Sequence, residues 1–188
     1  MAVLNTNAKE LHIKILYCGA EGAGKKSSLN AIRSFCISQN SKWLRFPFEK
    51  PLYGLVINVG MVLKLQTYFH IYHLNHQSKK DNEVLSRGAD GFLFIASLDP
   101  KDSNKNQIAF DEMEELILKQ GKDLLKVPLV LQYHKKDLQR KTSVNQMRLD
   151  FNKYNSKDFE SDLSSGLSVL KPLKHLLKLS LMAKIFLV

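Results

Sequence analysis

Residues 19 to 25 read Gly19-Ala20-Glu21-Gly22-Ala23-Gly24-Lys25, the G-x-x-x-x-G-K spacing of a loop that wraps phosphate groups. Glycines at these positions let successive backbone N–H groups turn inward on an anion. A following helix adds partial positive charge at its start, and the Lys25 ammonium reaches the terminal phosphates. The complete motif continues with Ser or Thr, whose hydroxyl holds Mg²⁺. Here Lys26 follows, and Ser27 comes one place late. Three readings stay open: Ser27 substitutes from a position that helical geometry turns away, the magnesium site is absent, or the Lys26 ammonium itself sits beside the phosphates. At about 4 Å and an effective dielectric of about 20, one such charge interacts by roughly 4 kcal/mol, enough to matter.

A second polar cluster, His134-Lys135-Lys136-Asp137, follows the apolar run Val127 to Tyr133. By itself it reads as a polar loop after a strand. The histidines at 70, 73 and 76 invite a metal reading, but residues three apart on a strand point to opposite faces, and no cysteine or carboxylate spacing supports zinc. No metal ligand is assigned. Cys18 and Cys36 are too few for a disulfide framework and sit in apolar stretches, as buried thiols do.

The elements that must position these residues follow from periodicity. Leu11, Ile13, Ile15 and Tyr17 alternate as a strand that runs into the glycine loop, and Leu29, Ile32, Cys36 and Ile37 recur at helical spacing after it. Tyr53 to Leu74 reads as two strands joined by a turn at Val59-Gly60, and Gln77 to Arg87 as a polar, irregular segment. Gly91 to Leu98 and Val127 to Tyr133 are apolar enough for strands covered on both faces. Between them lies a helix with Asp111, Glu112, Glu114 and Glu115 expected near its start and Gly121 as its stop. A last helix begins at about Val169 with Pro172 in its first turn. Strands alternating with helices predict an α/β fold, a mostly parallel central sheet with helices on both faces. One domain spanning residues 1–188 is expected.

The composition sets the class. With 44% hydrophobic and 24% charged residues over 188 positions the chain is globular, and disorder is excluded. Lys and Arg number 28 against 18 Asp and Glu, a formal charge of +10 that favours anionic partners. Residues 11–50 carry 7 basic and 2 acidic residues and residues 131–188 carry 11 and 5, so the excess falls in the segments bearing the two polar clusters. Interleaved basic and aromatic residues are not evident, and nucleic acid is not expected as a partner. The sequence offers neither a membrane span nor a secretory leader, so a cytoplasmic protein is expected.

Five segments, KILYCGAEGAGKKSSL, FHIYHLNHQ, LSRGADGFLFIA, VPLVLQYHKKDL and SSGLSVLKPLKHLLKLSL, resemble the MglA branch of bacterial Ras-like small GTPases. The similarity runs from about residue 11 to about residue 182. It implies a P-loop G-domain that binds GTP and GDP and sets cell polarity and motility through nucleotide-dependent protein partners, among them roadblock-fold regulators. Enrichment at a cell pole is part of the same implication. The family carries a Thr-Val-Pro-Gly-Gln-like stretch whose glycine N–H senses the terminal phosphate. The matching residues are His73, Leu74, Asn75, His76 and Gln77, so a degenerate switch is expected: the Cβ of His76 restricts the backbone, and Gln77 alone does not position a water. The family's guanine-reading Asn-Lys-x-Asp maps onto His134, Lys135 and Asp137, which implies that Asp137 accepts the two N–H donors on the edge of guanine, a pattern adenine lacks, that the Lys135 stem lies over the base, and that the His134 imidazole offers only part of the polar contacts of the family's amide. The expected protein is a catalytically deficient regulator acting by protein binding, with weak or metal-independent guanine-nucleotide binding, Mg²⁺ absent or weak, and no catalytic residue. The alternative is a working GTP switch with slow, partner-stimulated hydrolysis.

Overall fold

The computed structural model describes residues 3–5, 8–36, 40–46, 52–74, 78–135, 137–162 and 166–185. Among them the order is β1 (Val3–Asn5), β2 (Glu10–Cys18), α1 (Lys25–Phe35), β3 (Ser41–Phe46), β4 (Leu52–Val62), β5 (Leu65–His73), α2 (Lys79–Ser86), β6 (Gly91–Ser97), α3 (Ser103–Lys119), β7 (Leu129–His134), α4 (Val144–Phe151), β8 (Lys157–Ser161) and α5 (Gly166–Ile185). The sheet runs β3-β4-β5-β2-β6-β7-β8, and β1 pairs with β2 off this path. β2 is parallel to β5 and β6, and β6, β7 and β8 are parallel to one another. The antiparallel strands are β1, β3 and β4, so the sheet is mixed with a parallel centre. This is the α/β class that the alternation of apolar strands and helices predicts.

Every residue of β6 and of β7 is buried, which is why both read as continuous apolar runs. On one face Phe94 packs edge-on against Phe110 of α3 at 4.9 Å and near Phe151 of α4 at 5.7 Å. On the other, Gly91 lies so close to α5 that a Cβ there would run into the Ser180 hydroxyl, with Leu176 and Ile15 beside it. Helices therefore cover both faces, with α1 packed beside α5.

Four local expectations are corrected. The reversal between β4 and β5 is at Leu63-Lys64, both in the left-handed region (φ 51° and 66°), and not at Val59-Gly60. Gly60 serves instead as a bulge: the register shifts between Asn58 and Gly60, and the Gly60 N–H donates to Asn58 Oδ1 at 2.9 Å. A glycine inside an apolar alternation signals a turn or a bulge equally well. The polar stretch after residue 77 contains helix α2, capped by the Ser78 hydroxyl, which accepts from the Asp81 N–H at 3.2 Å; with only Leu85 as a buried apolar anchor it shows no periodicity to read.

Helix α3 begins at Ser103, about two turns before its acidic run, because Asp99 and the turn Pro100–Asp102 start it. Its acidic residues lie past the middle of the helix and find partners there: Glu115 pairs with Lys119 at 2.9 Å, and Glu114 pairs with Lys153 at 3.4 Å and accepts from the Tyr154 hydroxyl at 2.6 Å. Helix α5 starts at Gly166, which places Pro172 inside it rather than in the first turn. Strands β1, β3 and β8 and helix α4 were not legible from periodicity, since they are short or only half-buried.

Candidate functional site

The glycine loop bridges the end of β2 and the start of α1, as the motif requires. Gly19, at φ 135°, passes so close to β6 that a Cβ would collide with the Ile95 carbonyl. Gly24, at φ 105°, is the residue at which α1 begins; no side chain caps the helix, so the N–H groups of its first turn face the loop. Gly22 also has positive φ and stands in open space. Lys25 is buried, and its Nζ donates to the Gly19 carbonyl and to the Ala20 carbonyl, the latter at 2.8 Å. Burial pulls its ammonium down to about 8 against the opposing pull of Cys18, Glu21 and Glu112. The Cys18 thiol beneath it is pushed up to about 12 by burial and has no acid–base role at neutral pH.

The loop encloses an open cavity of about 340 Å³ lined by Glu21, Gly22, Lys25, Lys26, Ser27 and, from the end of β5, His73. Lys26 and Ser27 are exposed in the first turn of α1 and both border the cavity. Among the described residues that line it, the side-chain oxygens suited to Mg²⁺ are those of Glu21 and Ser27, beside the nitrogens of Lys25, Lys26 and His73. Among the described residues no group of three His, Cys, Asp or Glu side chains is arranged to hold a metal ion. His70 and His73 do part company across the strand. His70 Nε2 lies 2.9 Å from His12 Nδ1, and His12 Nε2 reaches Glu10 at 3.1 Å, while His73 turns to the cavity. His73 and Leu74 are cavity residues that loop spacing could not point to, because they come from the end of a distant strand.

The second cluster closes over the first. His134 ends β7 almost fully buried, with Nδ1 at 2.9 Å from Ser161 Oγ, which also accepts from Gln132 Nε2 at 2.8 Å. The opposite edge of the ring lies on Gly24. Burial holds this imidazole below the ordinary histidine range; Lys135 acts the same way, and Asp137 and Asp162 oppose. Lys135 is in the left-handed region (φ 66°), and its ammonium pairs with Asp102 at 2.9 Å. Asp137 is exposed just beyond. The glycine loop and the His134 to Asp137 cluster are therefore adjacent, through Gly24 and His134. His76 and Gln77 of the expected degenerate switch lie outside the described residues, as does Lys136.

No protein-family model matches the chain. Over 188 aligned residues it is 28% identical to the mutual gliding-motility protein MglA of Myxococcus xanthus (strain DK1622), with 96% of each chain covered. The chain is a distant homologue of MglA. The likeness to MglA extends over nearly the whole of both proteins, so it takes in the phosphate loop, the parallel sheet and the His134 to Asp137 cluster together.

Proposed function

We propose that the protein is a small-GTPase-like regulator of gliding motility and cell polarity that works by binding protein partners, a roadblock-fold regulator among them. It holds guanine nucleotide weakly or independently of Mg²⁺, and it hydrolyses little or no GTP. Residues 1–188 act as one G-domain, in the cytoplasm and at a cell pole. No described helix is long and apolar enough to cross a membrane. The homology to MglA supports the regulatory role in gliding motility. The observation that carries the catalytic half is Lys26: the phosphate loop is formed around Gly19, Gly24 and Lys25, yet the next side chain on the cavity wall is an ammonium, which cannot ligate a cation. Gly19, Glu21, Gly22, Ala23, Gly24, Lys25, Lys26 and Ser27 form the phosphate side of this reading, and His134, Lys135 and Asp137 the base side.

Thermal melting of the purified protein with GDP, GTP and ATP, each with and without Mg²⁺, tests it, because a ligand of the native state raises the melting temperature. A guanine-selective rise that is independent of Mg²⁺ is expected. A Mg²⁺-dependent rise, or GTP turnover clearly above buffer with or without a roadblock-fold partner, instead supports a working switch.

A further inference from the structure

His73 stands at a border. Its ring lines the phosphate cavity with Lys25 and Lys26 and also a second, mainly apolar cavity of about 330 Å³ with Leu29 and Trp43. It is held there by β5, a central strand paired to β2 along Glu10 to Tyr17, so its position relative to the loop is set by the sheet. We propose that His73 is a phosphate-binding residue, completing with Lys25 and Lys26 a three-nitrogen cradle that takes the terminal phosphate of a nucleotide in the role Mg²⁺ would otherwise fill. The proposal rests on the reading that this loop binds nucleotide.

The chemistry is that of charge matching. A terminal phosphate carries about −1.5 to −2 charge near neutral pH and accepts hydrogen bonds through three oxygens. Two ammonium groups and an imidazolium offer only N–H donors and up to three positive charges. That combination suits the phosphate and repels a divalent cation.

The groups facing the ring are known. Burial keeps the His73 imidazole below the ordinary range; Lys25 and Lys26 of α1 add to this, and a hydrogen bond with the Leu74 backbone opposes it. Glu21 on the loop is the acidic side chain among the residues lining the cavity. The cost of charging His73 is thus partly the repulsion of two lysines, and a phosphate among the three groups removes it. Binding is therefore accompanied by proton uptake at His73. Affinity rises as pH falls from the ring's bound value toward its lower free value, and each unit by which binding raises the ring is a tenfold gain, about 1.4 kcal/mol. Lys25, at about 8 in the free protein, takes up its proton at higher pH, so the two events separate.

The test compares wild type with His73→Asn, a neutral side chain that keeps a hydrogen-bonding nitrogen, using GTP and inorganic triphosphate in EDTA from about pH 8 to about pH 6. Calorimetry in two buffers of different ionisation enthalpy counts protons, and the ratio of affinities cancels the titration of the ligand itself. The expected ratio of wild-type to variant affinity is near unity at the alkaline end. It grows about tenfold toward the acid end, with proton uptake that the variant lacks. Binding with a ratio that stays flat, or equal proton uptake in both proteins, overturns the role of His73 and leaves the nucleotide reading standing. Absence of binding of either ligand to either protein at every pH overturns both. Melting of the variant without ligand, expected within a few degrees of wild type, excludes misfolding as the cause of a loss.

Discussion

The imidazole of His134 lies directly on Gly24: a Cβ on that glycine would stand 2.5 Å from Cδ2 and 2.8 Å from Nε2 of the ring. The glycine loop and the strand that ends in the His134 to Asp137 cluster are thereby one packed unit, with Ser161 holding the far side of the ring. Gly24→Ala is expected to destabilise the protein by about 1–3 kcal/mol, since it combines a positive φ with a collision. In a His134→Ala background the same change should cost measurably less, because only the backbone strain remains. Urea denaturation of the four proteins of the cycle measures this. Strict additivity would mean that the two residues do not bear on each other.

The buried His134 ring predicts a pH dependence of stability. Its folded value lies below the ordinary histidine value of about 6.5, so the unfolded chain takes up the proton first. The stabilisation is fully present above about pH 6.5 and is lost as pH falls from there through the folded value. His70 and His73 are shifted the same way, so the contribution of His134 is read from the difference between wild type and His134→Asn. Urea midpoints should fall less steeply with acid in the variant; identical slopes would remove His134 as a source.

Lys26→Thr puts a hydroxyl on the exposed first turn of α1, at the wall of the phosphate cavity. The rise in melting temperature produced by GTP should become dependent on Mg²⁺, while the melting temperature without ligand changes little. A nucleotide-induced rise that is the same in both proteins and indifferent to Mg²⁺ would show that Lys26 points elsewhere when nucleotide binds.

Asp137 is exposed and close enough to His134 to raise its ring. Asp137→Ala should erase the preference for GDP over ADP in the melting assay without changing the fold, because on the proposed reading the carboxylate is the group that distinguishes the two bases. Retained guanine selectivity would place base recognition on other residues.

Several features are hidden from a linear reading for physical reasons. The acidic run at Asp111 to Glu115 imitates a helix start, yet Glu114 and Glu115 are spent on Tyr154, Lys153 and Lys119, partners that only folding supplies for the first two. Gly60 imitates a turn because positive φ serves a bulge as readily as a reversal, and the true reversal uses Leu63 and Lys64, residues that carry no turn preference. Helix α2 is held by its Ser78 cap and by Leu85, too little apolar surface to leave a period.

The sequence by itself determined the glycine loop, the pair Lys25-Lys26, the buried strands β6 and β7 and therefore a parallel-centred α/β sheet. Each of these depends on local sterics or on a short apolar period, and neighbouring residues are enough to specify it. The tertiary structure alone decided that His73 joins the phosphate cavity and that His134 leaves the open base face to pack on Gly24. Both sit at strand ends, and which strand ends meet at the start of α1 depends on the sheet order β5-β2-β6-β7, set by pairing between segments more than fifty residues apart for β2 with both its neighbours.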